Sequence, residues 1–180
     1  MFDKHNHSPV TKGVAKVPMV MQMEALECDA ACLCMLLAYY GKWVPLEVVR
    51  ADCGVSRDGS RAKNILKAAR SYGMTTQGRR CEPEELRDAG RFPCIVHWNF
   101  NHFVVLNGFR GGRAYLNDPA CGNYSMSMER FDEAFTGVAL MIEPGEDFQP
   151  SGMPKSVLNF VHERLKGTEE RKQMIALKKV

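Results

Sequence analysis

The chain has 180 residues, 45% apolar and 25% charged, which suits one soluble domain with a sizeable core and room for a short appendage. A net charge of +3 with no basic stripe interleaved with aromatics gives no argument for nucleic-acid binding. Seven cysteines, an N-terminus without the apolar core of a secretory signal, and a longest apolar run (Ala30 to Tyr40) well short of the roughly 20 residues of a spanning helix point to reduced thiols on a cytosolic face, with nothing crossing a membrane.

Residues 1–16 are polar, with Lys4, His5, His7 and Lys12, and read as a flexible N-terminal segment. An apolar helix is expected from Cys28 to Tyr40, closed by Gly41 as a left-handed cap. Pro45 starts a second short helix (Leu46, Val48, Val49) that ends near Cys53-Gly54. Ser60 is placed to N-cap a third, in which Ala62, Ile65, Leu66, Ala69 and Tyr72 keep helical spacing up to Gly73. Glu82-Pro83-Glu84-Glu85-Leu86 opens another, with its acids where the helix dipole favours them.

From residue 92 short strands are expected: Phe92 to Trp98, His102 to Phe109, Arg113 to Asn117, Tyr124 to Met128 and Val138 to Glu143. Gly111-Gly112 signals a tight hairpin, and Met128 to Phe135 a short helix inside the strand series. Helices first and an antiparallel sheet second make an α+β domain. The tail from 147 to 180 changes character. Gln149 to Pro154 reads as a linker, and Val157, Leu158, Phe160, Val161 and Leu165 line one side of a basic amphipathic segment, suited to a membrane surface or to a solvated terminal helix.

The chemistry is concentrated around Cys28. A cysteine attacks carbonyls as thiolate, and a helix N-terminus favours that form. Gln22, six residues earlier, is placed to offer an amide N–H to the oxygen of the attacked carbonyl. Cys32 and Cys34 sit among leucines and alanines and read as small hydrophobes. His102 begins an apolar strand, a rigid position for a general base. His97, inside a strand, reads as structural, and the terminal His5, His7 and His162 have weak claims. Asp118, in Asn-Asp-Pro, falls one strand, one hairpin and one strand after His102. There it can fix the imidazole tautomer, or simply make an Asx-turn. Together Cys28, His102, Asp118 and Gln22 read as a cysteine protease with a helix-borne thiol against a sheet-borne histidine, the layout of papain-like folds. Zinc is disfavoured, because only Cys28 and Cys32 share helical spacing and the remaining cysteines are scattered singly. No Gly-rich phosphate loop is present, so no ATP binding is expected of this segment.

Val17-Pro-Met-Val-Met-Gln22, Glu27-Cys28-Asp-Ala-Ala-Cys-Leu, Tyr39-Tyr-Gly41, Asn101-His102-Phe-Val-Val-Leu and Leu116-Asn-Asp118-Pro-Ala-Cys-Gly122 together resemble the C39 peptidases of peptidase-containing, bacteriocin- and lantibiotic-exporting ABC transporters. The resemblance runs from about Val17 to Pro144; that family often has Gly and Ser where this chain has Asp29 and Cys32. It implies a peptidase domain at 17–146 and a connector at 147–180 toward a transmembrane domain outside these residues. It implies cleavage after a Gly-Gly pair ending a precursor's helical leader, export through an attached transporter on the cytoplasmic side of the membrane, and ATP use only by that transporter. A narrow slot for the glycines would then be walled by some of Trp98, Phe100, Phe103 and Tyr124, and an apolar leader groove by some of Met19, Met21, Met23 and Met35, with at least half of these methionines expected in the core. The competing readings are a catalytically silent leader-binding domain and another papain-like thiol enzyme, an acyltransferase or transglutaminase.

Overall fold

The structure, a computed structural model, describes residues 8–24, 26–54 and 61–152. In chain order the elements are β1 (Gly13–Val14), α1 (Cys28–Tyr39), α2 (Leu46–Cys53), α3 (Arg61–Ser71), β2 (Met74–Arg80), α4 (Pro83–Ala89), β3 (Cys94–Trp98), β4 (His102–Arg110), β5 (Arg113–Asp118), β6 (Gly122–Ser127), α5 (Met128–Ala134) and β7 (Phe135–Pro144). The described strands form one antiparallel sheet in the order β2-β7-β3-β4-β5-β6, with β1 added to β4 beyond the end of β3.

Strand alternation divides the sheet's side chains between two cores. Ile95, Phe103, Val105, Leu140 and Ile142 face α1, α2 and α3, whereas Cys94, Val96, Trp98, Val104 and Leu106 face α4 and α5. All twelve residues of α1 are buried, because the helix is wedged between α2, α3 and β4. Its lack of a polar face is therefore what the packing demands. Helix α4 begins as expected, with Pro83 in its first turn and a reciprocal capping box between Glu82 and Glu85. Gly111 and Gly112, at φ of 58° and 70°, make the β4–β5 turn as the sequence predicted.

Several expectations needed correction. The sequence reading missed β2, which pairs with β7 and interrupts the expected run of helices. Met-Thr-Thr-Gln-Gly-Arg-Arg buries one residue of seven, so an edge strand with a solvated outer face carries no apolar alternation to detect. The N-terminal segment is not loose from Val10 onward. Val10 and Phe92 exchange backbone hydrogen bonds of 2.7 and 3.0 Å, Ala15 N–H donates to the Asn107 carbonyl at 2.8 Å, and Ala15 is buried. The start of the expected linker is likewise tied down. Trp43 N–H donates to the Ser151 carbonyl at 2.7 Å, and Phe148 packs on the helical core. The Ser60 cap, His5, His7, His162 and the amphipathic tail segment lie outside the described residues.

Candidate active site

The start of α1 is set by a turn built on Glu27. Its carboxylate Oε2 accepts from the backbone N–H groups of Met23 at 2.9 Å and Glu24 at 3.0 Å, while Oε1 takes the Arg50 guanidinium of α2. Burial works to raise the Glu27 carboxyl, but these donors together hold it below its usual range, so it stays anionic. The knot ties Met23 and Glu24 to the residue directly before Cys28. At its other end the Gln22 N–H donates to the carbonyl of Pro119 at 3.0 Å, joining this segment to the residue after Asp118. Oε1 of Gln22 is buried without a hydrogen-bond partner, an orphaned acceptor at a site expected to receive substrate.

Cys28 is 1% exposed at the first position of α1. The His102 imidazole interacts with it, an interaction that acts to raise the His102 pKa. The ring is held by Asp118, with Nε2 2.8 Å from Oδ1, which leaves Nδ1 as the nitrogen free to serve the thiol. Adjacent antiparallel strands produce this pairing: His102 begins β4, Asp118 ends β5, and the register sets Val105 opposite Asn117. The Asp118 hydrogen bond, then the Cys28 contact, push the His102 pKa up to about 9 against the opposing effect of burial. Burial raises Asp118, yet the bonds from His102, Ala120 N–H and Tyr124 outweigh it and keep the carboxylate below its usual range.

Both sequence readings of Asp118 apply at once. Oδ1 accepts from the Ala120 N–H at 2.8 Å in an Asx-turn while it also holds His102, and Oδ2 lies 3.5 Å from the Tyr124 hydroxyl. The structure thus brings Cys28, His102 and Asp118 together and ties Gln22 to the same loops.

The rejected candidates lie where the sequence placed them. His97 Nδ1 is 2.8 Å from Thr136 Oγ1, its ring packs on Phe103, and burial, with the charge of Arg61, lowers its pKa. The thiol of Cys32 donates to the Phe103 carbonyl at 3.3 Å, and burial pushes it well up. Burial also pushes Cys34 up to about 12. All seven cysteines are free, and among the described residues no cluster of His, Cys, Asp or Glu could hold a metal ion. Of the expected slot walls, Trp98 and Phe103 are core residues and unavailable, whereas Tyr124 contacts Asp118 and Phe100 is 83% exposed at the β3–β4 turn beside His102. Met35 is fully buried and Met19 packs on the core, while Met21 and Met23 are exposed.

Sequence reasoning missed Glu27 as an organiser, although an acid directly before an apolar helix was on view. It also missed Arg61, whose Nη1 lies 4.0 Å from the Cys28 sulfur. The available signal was a cation at a helix N-terminus, where the dipole disfavours it.

A thiol at a helix start, a strand-borne imidazole and a carboxylate behind it, on helices packed against an antiparallel sheet, define a cysteine peptidase of papain-like fold. The chain belongs to the Peptidase C39 family, which it matches over residues 16–147. It is 40% identical over 134 residues to the colicin V secretion/processing ATP-binding protein CvaB of Escherichia coli, covering 74% of this chain and 19% of that protein. It is 28% identical over 149 residues to the transport/processing ATP-binding protein ComA of Streptococcus pneumoniae, covering 78% of this chain and 21% of that protein. The chain thus spans about a fifth of the length of these relatives. Among crystal structures it resembles a double glycine motif protease from an AMS/PCAT transporter in complex with the leader peptide, with 65% identity, a TM-score of 0.74 and coverage of 77% of this chain and 99% of that one. The peptidase domain of Streptococcus ComA, a bi-functional ABC transporter involved in a quorum-sensing pathway, aligns at 26% identity and a TM-score of 0.66, covering 72% and 98%.

Proposed function

We propose that this chain removes the leader of a bacteriocin- or lantibiotic-type precursor by cutting after a Gly-Gly pair, and that residues 17–146 are the peptidase domain, joined through 147–180 to a transporter on the cytoplasmic side of a bacterial membrane. ATP would be used by the transporter part, and the peptidase needs no cofactor. The observation that carries the reading is the chain of contacts Cys28–His102–Asp118 at the N-terminus of α1. The double-glycine protease similar to this chain, complexed with a leader peptide, supports the choice of substrate.

In this mechanism the Cys28 thiolate adds to the carbonyl carbon of the second glycine. The resulting oxyanion is received by the Gln22 amide and the Cys28 N–H. The His102 imidazolium, stabilised by Asp118, gives its proton to the departing amine as the C–N bond breaks, leaving a thioester. The neutral imidazole then takes a proton from water, whose oxygen attacks the thioester and frees the leader's carboxylate and the thiolate. Exposed Met21, Met23, Leu26 and Val48, on the Cys28 approach and on α2, offer apolar anchors for a helical leader.

The test is a synthetic leader ending in Gly-Gly and its Gly-Ala analogue, with the cut located by mass. Cleavage after the second glycine, loss of cutting in the analogue and loss in Cys28→Ala support the proposal. Turnover that persists in Cys28→Ala, or equal cutting of both peptides, defeats it.

A further inference from the structure

The charges around Cys28 do not balance without a residue from the third helix. From α1 comes Asp29, the next residue, which is 7% exposed, with one carboxylate oxygen accepting the Ala30 N–H at 2.8 Å. From β4 and β5 come His102 and Asp118, which form a matched pair. Glu27, just before the helix, is matched by Arg50 of α2. Cys32, deeper on α1, is a neutral thiol pushed up by burial, and His97 of β3 is held toward its neutral form. Forming a thiolate at Cys28 therefore adds an anion one residue before the carboxylate of Asp29, whose pKa burial raises and the charge of Arg61 lowers.

The first residue of α3 faces this problem. Arg61 is half-buried rather than extended into solvent, its Nη1 lies 4.0 Å from the Cys28 sulfur, and its charge also acts on the Asp29 carboxylate. A position the α3 dipole disfavours for a cation is thus occupied by one directed at the start of another helix.

We propose that Arg61 is a positioning residue of this active site, its guanidinium offsetting Asp29 and so holding the Cys28 sulfur as an anion, a role that rests on Cys28 being the nucleophile. Asp29 and Arg61 act as a unit. Loss of the cation alone exposes the thiolate to an unmatched carboxylate, whereas loss of both charges returns the site to balance.

The test is the pH dependence of Cys28 alkylation by iodoacetamide, followed by the mass of the Cys28 peptide, beside leader-peptide kinetics. Arg61→Gln should move the alkylation midpoint up by about one pH unit and lower kcat/KM near neutrality about tenfold, with KM little changed. Arg61→Lys should stay near the parent, and Asp29→Asn added to Arg61→Gln should bring the midpoint back. An unmoved midpoint in Arg61→Gln, or no recovery in the double variant, overturns the role of Arg61. Should Arg61→Gln fail to fold, Asp29→Asn alone must lower the midpoint, and an unchanged value overturns the proposal. Cleavage that continues after Cys28 is fully alkylated would instead defeat the nucleophile assignment.

Discussion

Asn107 and Asn117 clasp each other across β4 and β5, Nδ2 of the first donating to Oδ1 of the second at 2.8 Å. The amide of Asn117 is used on its other side as well, Nδ2 donating to the Val17 carbonyl at 3.1 Å and reaching the Met35 sulfur at 3.9 Å. One buried amide, next to Asp118, thus joins two strands, α1 and the segment leading to Gln22. Asn117→Ala should leave the Asn107 amide unpaired and cost about 1–3 kcal/mol in urea unfolding. It should also lower kcat, since the loops carrying Gln22 and Asp118 lose their shared anchor.

The two partners of Asp118 should differ in weight. Asp118→Asn removes the charge that orients and stabilises the imidazolium, and kcat/KM should fall by on the order of 100- to 10,000-fold. Tyr124→Phe removes a 3.5 Å contact, at the limit of a hydrogen bond, and should change the rate by no more than about threefold. Equal losses in the two variants would place the Tyr124 hydroxyl in the chemistry.

The pH behaviour follows from His102, whose pKa rises from 6.5 to about 9 on folding. A raised basic group stabilises the native state fully below its unfolded value and loses that contribution as pH climbs through the folded one. This contact should therefore contribute about 3 kcal/mol near pH 6, lost by about pH 10, and urea midpoints of His102→Ala should lack that slope. Cleavage should follow the same limb, holding to about pH 9 and falling above it as the proton donor disappears.

Gln22→Ala should reduce kcat about 100- to 1,000-fold with leader binding almost intact, because its amide meets charge that develops only after attack. A leader affinity that falls in step with kcat would mean the side chain holds ground-state substrate instead.

Gly108 has φ of 134°, and an added Cβ would sit 2.2 Å from the Gly13 carbonyl oxygen. Gly108→Ala should split β1 from β4 and lower stability by about 1–3 kcal/mol in urea unfolding. Peptide cleavage by the folded fraction should persist, since Gly108 lies at the far end of β4 from His102.

Much of this architecture was legible in the chain. Five helices and five of the strands lie near their expected places, because capping residues and glycine breaks act over a few residues and leave local marks. Edge elements were not legible. The strand Met74–Arg80 and the pair Gly13–Val14 are held by backbone ladders to distant partners, and their side chains carry no periodic pattern. The site divided in the same way. Cys28, His102, Asp118 and Gln22 each stand at a helix start, a strand start, a strand end or an apolar approach that sequence can mark.

The sequence by itself determined which groups could react and which class of domain carries them, since thiol, imidazole, carboxylate and amide are chemical identities written residue by residue. Tertiary structure alone decided their electrical setting. Arg61 meets Cys28 across 33 positions of chain, Arg50 meets Glu27 across 23, and Asn117 meets Val17 across 100. Charge acts through space and burial, and neither distance nor dielectric can be read along a chain before it has folded.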